Sequence, residues 1–174
     1  MNTKPESTRI FSPADLARDL ASLGVCQGDT VMIHASLKAI GPVAGGPDAI
    51  VEALLQAIGE TGNLMAYVSW DKSPYDETLN GRTLSGSERD AWPAFDPATS
   101  RTYRGFGILN EFIVRHPATR RSAHPDASMA AIGPRAEELV HPHELGRAYG
   151  PGSPLERLIA MGGRVLMLGA PSMR

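Results

Sequence analysis

The chain is predicted to fold as an α/β domain, on three observations. Short apolar runs, partly β-branched, recur along it, the first being Thr30, Val31, Met32 and Ile33. Helical periodicity accompanies them, clearest in Ile50, Val51, Leu54, Leu55 and Ile58. Glycine and proline punctuate the joins, as in Gly41, Pro42, Gly45, Gly46 and Pro47.

Residues 1–11 read as a flexible tail. Ser12 is a helix cap, with Pro13 in the first turn and Asp15 three residues on; the helix runs through Leu16 and Leu20 to Leu23 and stops at Gly24. The strand at 30–33 ends in His34, Ala35, Ser36, Leu37 and Lys38, and Pro47 opens the next helix, closed by Gly59 and Gly62. A second strand covers 63–68 and ends at Ser69, Trp70 and Asp71. Residues 71–104 form a long polar segment whose aromatics Tyr75, Trp92, Phe95 and Tyr103 argue against disorder. A helix is predicted over 106–115, a strand over 129–132, a turn or two of helix over 136–140 and a helix opened by Ser153 and Pro154. Residues 164–168 read as a buried central strand, followed by Gly169, Ala170 and Pro171. In an α/β protein a covering helix normally follows such a strand, so the sequence reads as C-terminally truncated.

With 174 residues, 42% hydrophobic and 21% charged, the chain has the composition of one soluble domain. A net charge of −2 gives no reason to expect nucleic acid or an anionic membrane as partner. The lone Cys26 excludes an internal disulfide and reads as a small buried filler. No apolar run is long enough to span a membrane and the N-terminus has no signal-peptide core, so a cytoplasmic location is expected. Homodimerisation is left open.

A strand feeding a helix through a small-residue loop presents backbone N–H groups to an anion. The loop here lacks the glycine spacing of a dinucleotide fingerprint and the Gly-Lys-Ser/Thr ending of a triphosphate loop, so an ordinary tight connection reads equally well. His116, His141 and His143 have the wrong spacing for a zinc site, and no Gly-x-Ser-x-Gly elbow supports a serine hydrolase.

Several segments together are similar to one family. They are HASLKAIGPV at 34–43 with Gly45 and Gly46; Tyr67 with Ser69, Trp70 and Asp71; Phe95, Asp96 and Pro97; Arg121, Ser122, Ala123, His124 and Pro125 with Ser128; Gly152, Ser153, Pro154 and Leu155; and VLMLGAP at 165–171. In this order and spacing the chain resembles the aminoglycoside 3-N-acetyltransferases, antibiotic-resistance enzymes. The resemblance implies a central mixed sheet flanked by helices, with 12–174 as a partial acetyltransferase domain. It implies acetyl-CoA as donor, no metal, and transfer to the 3-amino group of a 2-deoxystreptamine aminoglycoside. Family members are longer, and the resemblance places the catalytic base, the His of a His-x-x-Glu-type pair, beyond Arg174. The alternative is an inactive truncated fragment that at most binds CoA or aminoglycoside.

Acetyl transfer to an amine needs a base for the amine proton, a held thioester and anchored phosphates. The cofactor-binding residues expected on this reading are His34, Ala35, Ser36, Leu37 and Lys38, with Arg121, His124 and Ser128. Lys38 also reads as a solvated lysine and Ser36 as a maker of a local turn bond. Tyr67, Trp70 and Asp71 are the expected substrate residues, an aromatic face and a carboxylate for a cationic sugar. Asp76, Glu77, Glu88 and Asp96 add negative potential in the long segment.

Overall fold

A computed structural model describes residues 9–169. Residues 1–8 of the expected tail, and Ala170 and Pro171 of the last motif, lie outside the described residues. Five strands form one mixed sheet: β1 (Thr30–Ala35), β2 (Asn63–Tyr67), β3 (Arg120–Arg121), β4 (Met129–Ile132) and β5 (Arg164–Leu168), in the order β3-β4-β2-β1-β5. β1 is parallel to β2 and β5, whereas β4 runs antiparallel to β2 and β3.

Alternation along the strands divides the core in two. Val31, Ile33, Leu64, Ala66, Ala130 and Ile132 face one way and join a cluster with α1 (Pro13–Ser22), α3 (Gly46–Ile58) and α6 (Leu109–Arg115). Met32, Met65, Met129 and Ala131 face the other way and meet α7 (Ala136–Val140) and α8 (Pro154–Ala160). The predicted caps form. Ser12 and Asp15 make a reciprocal capping box, and Pro47 lies in the first turn of α3. Gly62 joins α3 to β2 so tightly that a Cβ there would lie 2.5 Å from the Ile58 carbonyl oxygen.

Four expectations need correction. The strand 164–168 is an edge of the sheet among the described residues, not a buried central strand. Leu166 reaches the α1–α3 core, but Val165 is 56% and Met167 55% exposed, because neither α7 nor α8 extends over β5. Cys26 is exposed, its thiol turned to the Gly24 carbonyl at 3.6 Å. The turn is stitched by the Asp29 carboxylate, which accepts from the Cys26 N–H at 2.8 Å, and the neighbouring Val25 packs inward instead. The long segment is not a plain loop. It contains α4 (Pro74–Leu79) and α5 (Gly86–Asp90), and Arg82 joins Glu77 and Glu88 at 2.9 and 2.6 Å. The helix expected over 106–115 begins at Leu109, because Arg104–Phe106 is a separate 3₁₀ turn ended by Gly107 at φ +101°.

The topology decides where chemistry can gather. The carboxyl ends of β1 and β2 open on the same side. Because β4 opposes β2, with Met129 paired to Tyr67, the segment joining β3 to β4 reaches that side too.

Candidate functional site

Two adjoining depressions lie at this end of the sheet. The first, of about 490 Å³, is lined by His34, Ala35, Ser36, Leu37 and Lys38 at the end of β1 and by residues 104–108 opposite. The strand end is clamped because the Ser36 N–H donates to the Leu168 carbonyl at 2.9 Å. Ser36 then caps α2 (Leu37–Ile40) through its carbonyl, which accepts from the Ala39 and Ile40 N–H groups at 3.0 Å. Its hydroxyl makes no capping bond. The first N–H groups of such a turn have no partner within it. Ala35 and Leu37 lean on the core, and Lys38 is exposed. The short α2 stands between β1 and α3; with the Ser36 N–H bonded to Leu168, the backbone N–H groups offered beside the depression are those of Leu37 and Lys38.

The second depression, of about 500 Å³, is walled by aromatics and carboxylates: Tyr67, Tyr75, Phe106 and Tyr149 with Asp76 and Asp126. Tyr67 ends β2 and donates to the Asp126 carbonyl at 3.0 Å. Ser69 donates to the same carbonyl at 2.6 Å, and Ser73 donates to the Asp126 carboxylate. Burial and the neighbouring charges of Asp126 and Glu77 raise the Asp76 carboxyl above its ordinary range. Burial and the bond to Tyr149 likewise raise the Tyr67 hydroxyl. Ser69 has φ +38°, the one non-glycine residue with positive φ among the described residues, as is common at sites that over-determine the backbone.

Behind these walls lie other residues singled out from the sequence. Arg121 is buried. Its guanidinium donates to the Ser69 and Ser100 carbonyls and, at 3.2 Å, to the Ser128 hydroxyl, and it lies over the Phe95 ring. Those donors are turned away from any phosphate in solvent. Burial lowers the guanidinium to about 10, so it stays charged at neutral pH. Ser128 is fully buried, and its carbonyl accepts from the Val68 and Ser69 N–H groups. Trp70 is buried against Phe95, their centroids 5.5 Å apart, and offers no face to a sugar. Asp71 is exposed but does not line the aromatic depression.

His124 borders the second depression and is itself buried. Its Nδ1 accepts from the Ala127 N–H at 3.2 Å, and its ring lies 4.7 Å from that of His143. His143, in irregular structure between α7 and α8, is buried as well. Its Nε2 faces the Ala148 carbonyl at 3.2 Å and so carries the proton; its Nδ1 then accepts from the Ser122 hydroxyl at 2.9 Å. Burial lowers both imidazoles, His143 to about 4. No group of three or more His, Cys, Asp or Glu suited to a metal occurs among the described residues, and no described helix is long and apolar enough to cross a membrane.

Sequence reasoning missed Phe106, Asp126, Tyr149 and the burial of His143. The family model described as aminoglycoside 3-N-acetyltransferase matches residues 32–174. An aminoglycoside N(3)-acetyltransferase III of Salmonella sp is 61% identical over 152 residues, which are 87% of this chain and 53% of that protein. The structure of AAC-VIa bound to sisomicin superposes with a TM-score of 0.88 at 53% identity, over 93% of this chain and 60% of that one. That of AAC-IIIb with CoASH gives 0.86 at 40% identity, over 94% and 61%. The chain thus spans little more than half the length of the curated relative, at 53%.

Proposed function

Because the chain belongs to the aminoglycoside 3-N-acetyltransferase family, we propose that its two depressions are a donor site and an acceptor site for acetyl transfer to an aminoglycoside amine. The observation that carries this reading is their chemical contrast at one end of one sheet. One offers N–H groups, a hydroxyl and an ammonium; the other offers carboxylates and aromatic faces.

The first fits coenzyme A. Ser36 has a hydroxyl that makes no capping bond, beside backbone N–H groups, and Lys38 adds a positive charge at the mouth, which suits phosphate oxygens. Acetyl-CoA would supply the acetyl group, activated as a thioester. Arg121 and Ser128 lie instead behind the second depression, fixing residues 69 and 100. His124 shapes the neighbouring wall.

The second fits a polycationic sugar. Asp76 and Asp126 repel each other while empty and are relieved when an ammonium lies between them. The faces of Tyr67, Phe106 and Tyr149 cover the apolar side of a ring and hold off water. The attacking amine must lose a proton. His143 is held neutral but its two nitrogens are taken; His124 accepts from Ala127 at Nδ1, which leaves its proton on Nε2, a nitrogen without a hydrogen-bond partner among the described residues, so neither is assigned as base.

The deciding experiment is calorimetric titration of the chain with coenzyme A and with sisomicin, beside a thiol-release assay with acetyl-CoA. Binding of both supports the two-site reading, and binding of neither overturns it. Binding without turnover favours the second reading, a chain that holds both ligands but lacks its base. The observation behind that reading is that neither buried histidine offers a free acceptor nitrogen: both nitrogens of His143 are bonded, and His124 accepts at Nδ1 with its proton on Nε2.

A further inference from the structure

We infer that Phe106 is the positioning residue at the junction of the two sites, so that its ring couples donor to acceptor; this rests on the two-site reading above. Phe106 lines both depressions. Its ring meets Tyr67 edge-on with centroids 4.6 Å apart and Tyr103 at 5.0 Å, yet it is 39% exposed. A ring kept for the core would be buried; this one stands in the open as a partition.

Its backbone is nevertheless pinned to both strands that carry the sites. Gly107 follows at φ +101° and passes so close to β1 that a Cβ there would lie 2.8 Å from the Ala35 carbonyl oxygen. The buried Asn110 side chain donates to the Tyr67 carbonyl at 2.8 Å and to the Phe106 carbonyl at 3.3 Å. One amide thus ties the end of β2 to the turn that presents the ring, and one glycine ties that turn to the end of β1. An exposed ring on so constrained a backbone is preorganised for a ligand contact rather than for folding.

Because Phe106 borders both depressions, a donor group at residues 34–38 and an acceptor ring against Tyr67 meet beside its ring. The ring therefore fixes their separation and keeps water from the gap between them. Beyond its contact with the acceptor ring, Phe106 serves the two ligands bound together.

The test is a linkage measurement on the 174-residue chain. The dissociation constant of coenzyme A is measured with and without saturating sisomicin, for the unaltered chain, Phe106→Ala, Phe106→Leu and Phe106→Tyr. The unaltered chain should show a ratio of at least about 5, the lower end of ordinary coupling between sites. Phe106→Ala should bring the ratio near 1 whatever it removes from the affinity for sisomicin alone, and Phe106→Tyr should restore it. Phe106→Leu replaces the alanine variant if its thermal midpoint falls. A ratio near 1 in the unaltered chain, or one that survives loss of the ring, overturns the inference. If coenzyme A and sisomicin do not bind at all, the two-site reading itself fails. If Lys38→Ala and Asp126→Asn weaken their respective ligands while Phe106→Ala leaves the ratio intact, only the role of Phe106 fails.

Discussion

The hydroxyls of Tyr67 and Tyr149 meet at 2.8 Å although the residues stand 82 positions apart. Tyr67 is rigid, at the end of β2 and bonded to Asp126; Tyr149 is exposed and rides on a segment anchored by His143 through Ala148. One wall of the aromatic depression therefore depends on a buried imidazole that does not line it.

That dependence has a pH signature. The folded His143 titrates near 4, below the ordinary 6.5, chiefly through burial, with His124 and Arg157 as the nearby cationic groups. Between these values the unfolded chain binds a proton that the folded chain refuses. Stability is then full above pH 6.5, falls as pH drops towards 4 and levels off below it. His124, also lowered by burial, acts with the same sign. Allowing for partial solvent screening, His143 should account for about 1–2 kcal/mol of the loss. Urea denaturation at several pH values checks this, and His143→Gln should flatten the profile across that window. An unchanged profile would remove His143 as its source.

Lys38→Ala should weaken coenzyme A binding about tenfold, the low end of the about 1.5–3 kcal/mol of a charge-assisted contact, since Lys38 is exposed. Lys38→Arg should largely preserve it. Titration of the three proteins at one ionic strength decides; equal affinities would place the phosphates elsewhere.

The proposed acceptor site predicts a ranking of carboxylates. Asp126→Asn and Asp76→Asn, which alter the lining, should each weaken sisomicin binding more than Asp71→Asn, which lies outside it. Affinity should also fall with salt, because exposed charges are screened over about 8 Å at physiological ionic strength. A salt series on the three variants tests the order. A dominant effect of Asp71 would move the site outward.

Arg121 separates a staple from a ligand. Arg121→Ala strands the Ser69 and Ser100 carbonyls, so unfolding should become easier by roughly 2–4 kcal/mol. Arg121→Lys should fail to rescue it, since one ammonium cannot span three acceptors. Loss of coenzyme A affinity at undiminished stability would instead return Arg121 to the ligand surface.

Which parts of this were legible follows from local physics. Ser12, Pro13 and Asp15 announced α1, and Pro47 with Ile50, Leu54 and Ile58 announced α3, because caps and periodicity act within a turn or two. β1 and β2 were visible because both their faces are covered. β3 was not, since Arg120 and Arg121 carry no apolar pattern. The loop at 34–38 was located by its place after a strand, and the structure sets it in a depression. Arg121 and Trp70 looked equally available for ligands, because sequence does not say which way a side chain turns once long-range neighbours assemble. Asp126 and Tyr149 reach the site only through an antiparallel pairing and a buried histidine, relationships no window of residues contains. Ser85 and Glu88, a capping box, did announce α5 and were overlooked within a polar stretch.

β1 holds its place between β2 and β5, pairing Val31 with both Leu64 and Arg164. On a ribosome, one side of β1 must therefore wait unpartnered until residues 164–168 emerge. At about 5–20 residues per second the wait is on the order of 10 seconds. During it, β1, β2 and α3 can already have met, leaving an open row of amides and carbonyls that another nascent chain could occupy. The hazardous interval in making this protein falls after its core has begun to form, and slowing synthesis there should lower the soluble yield.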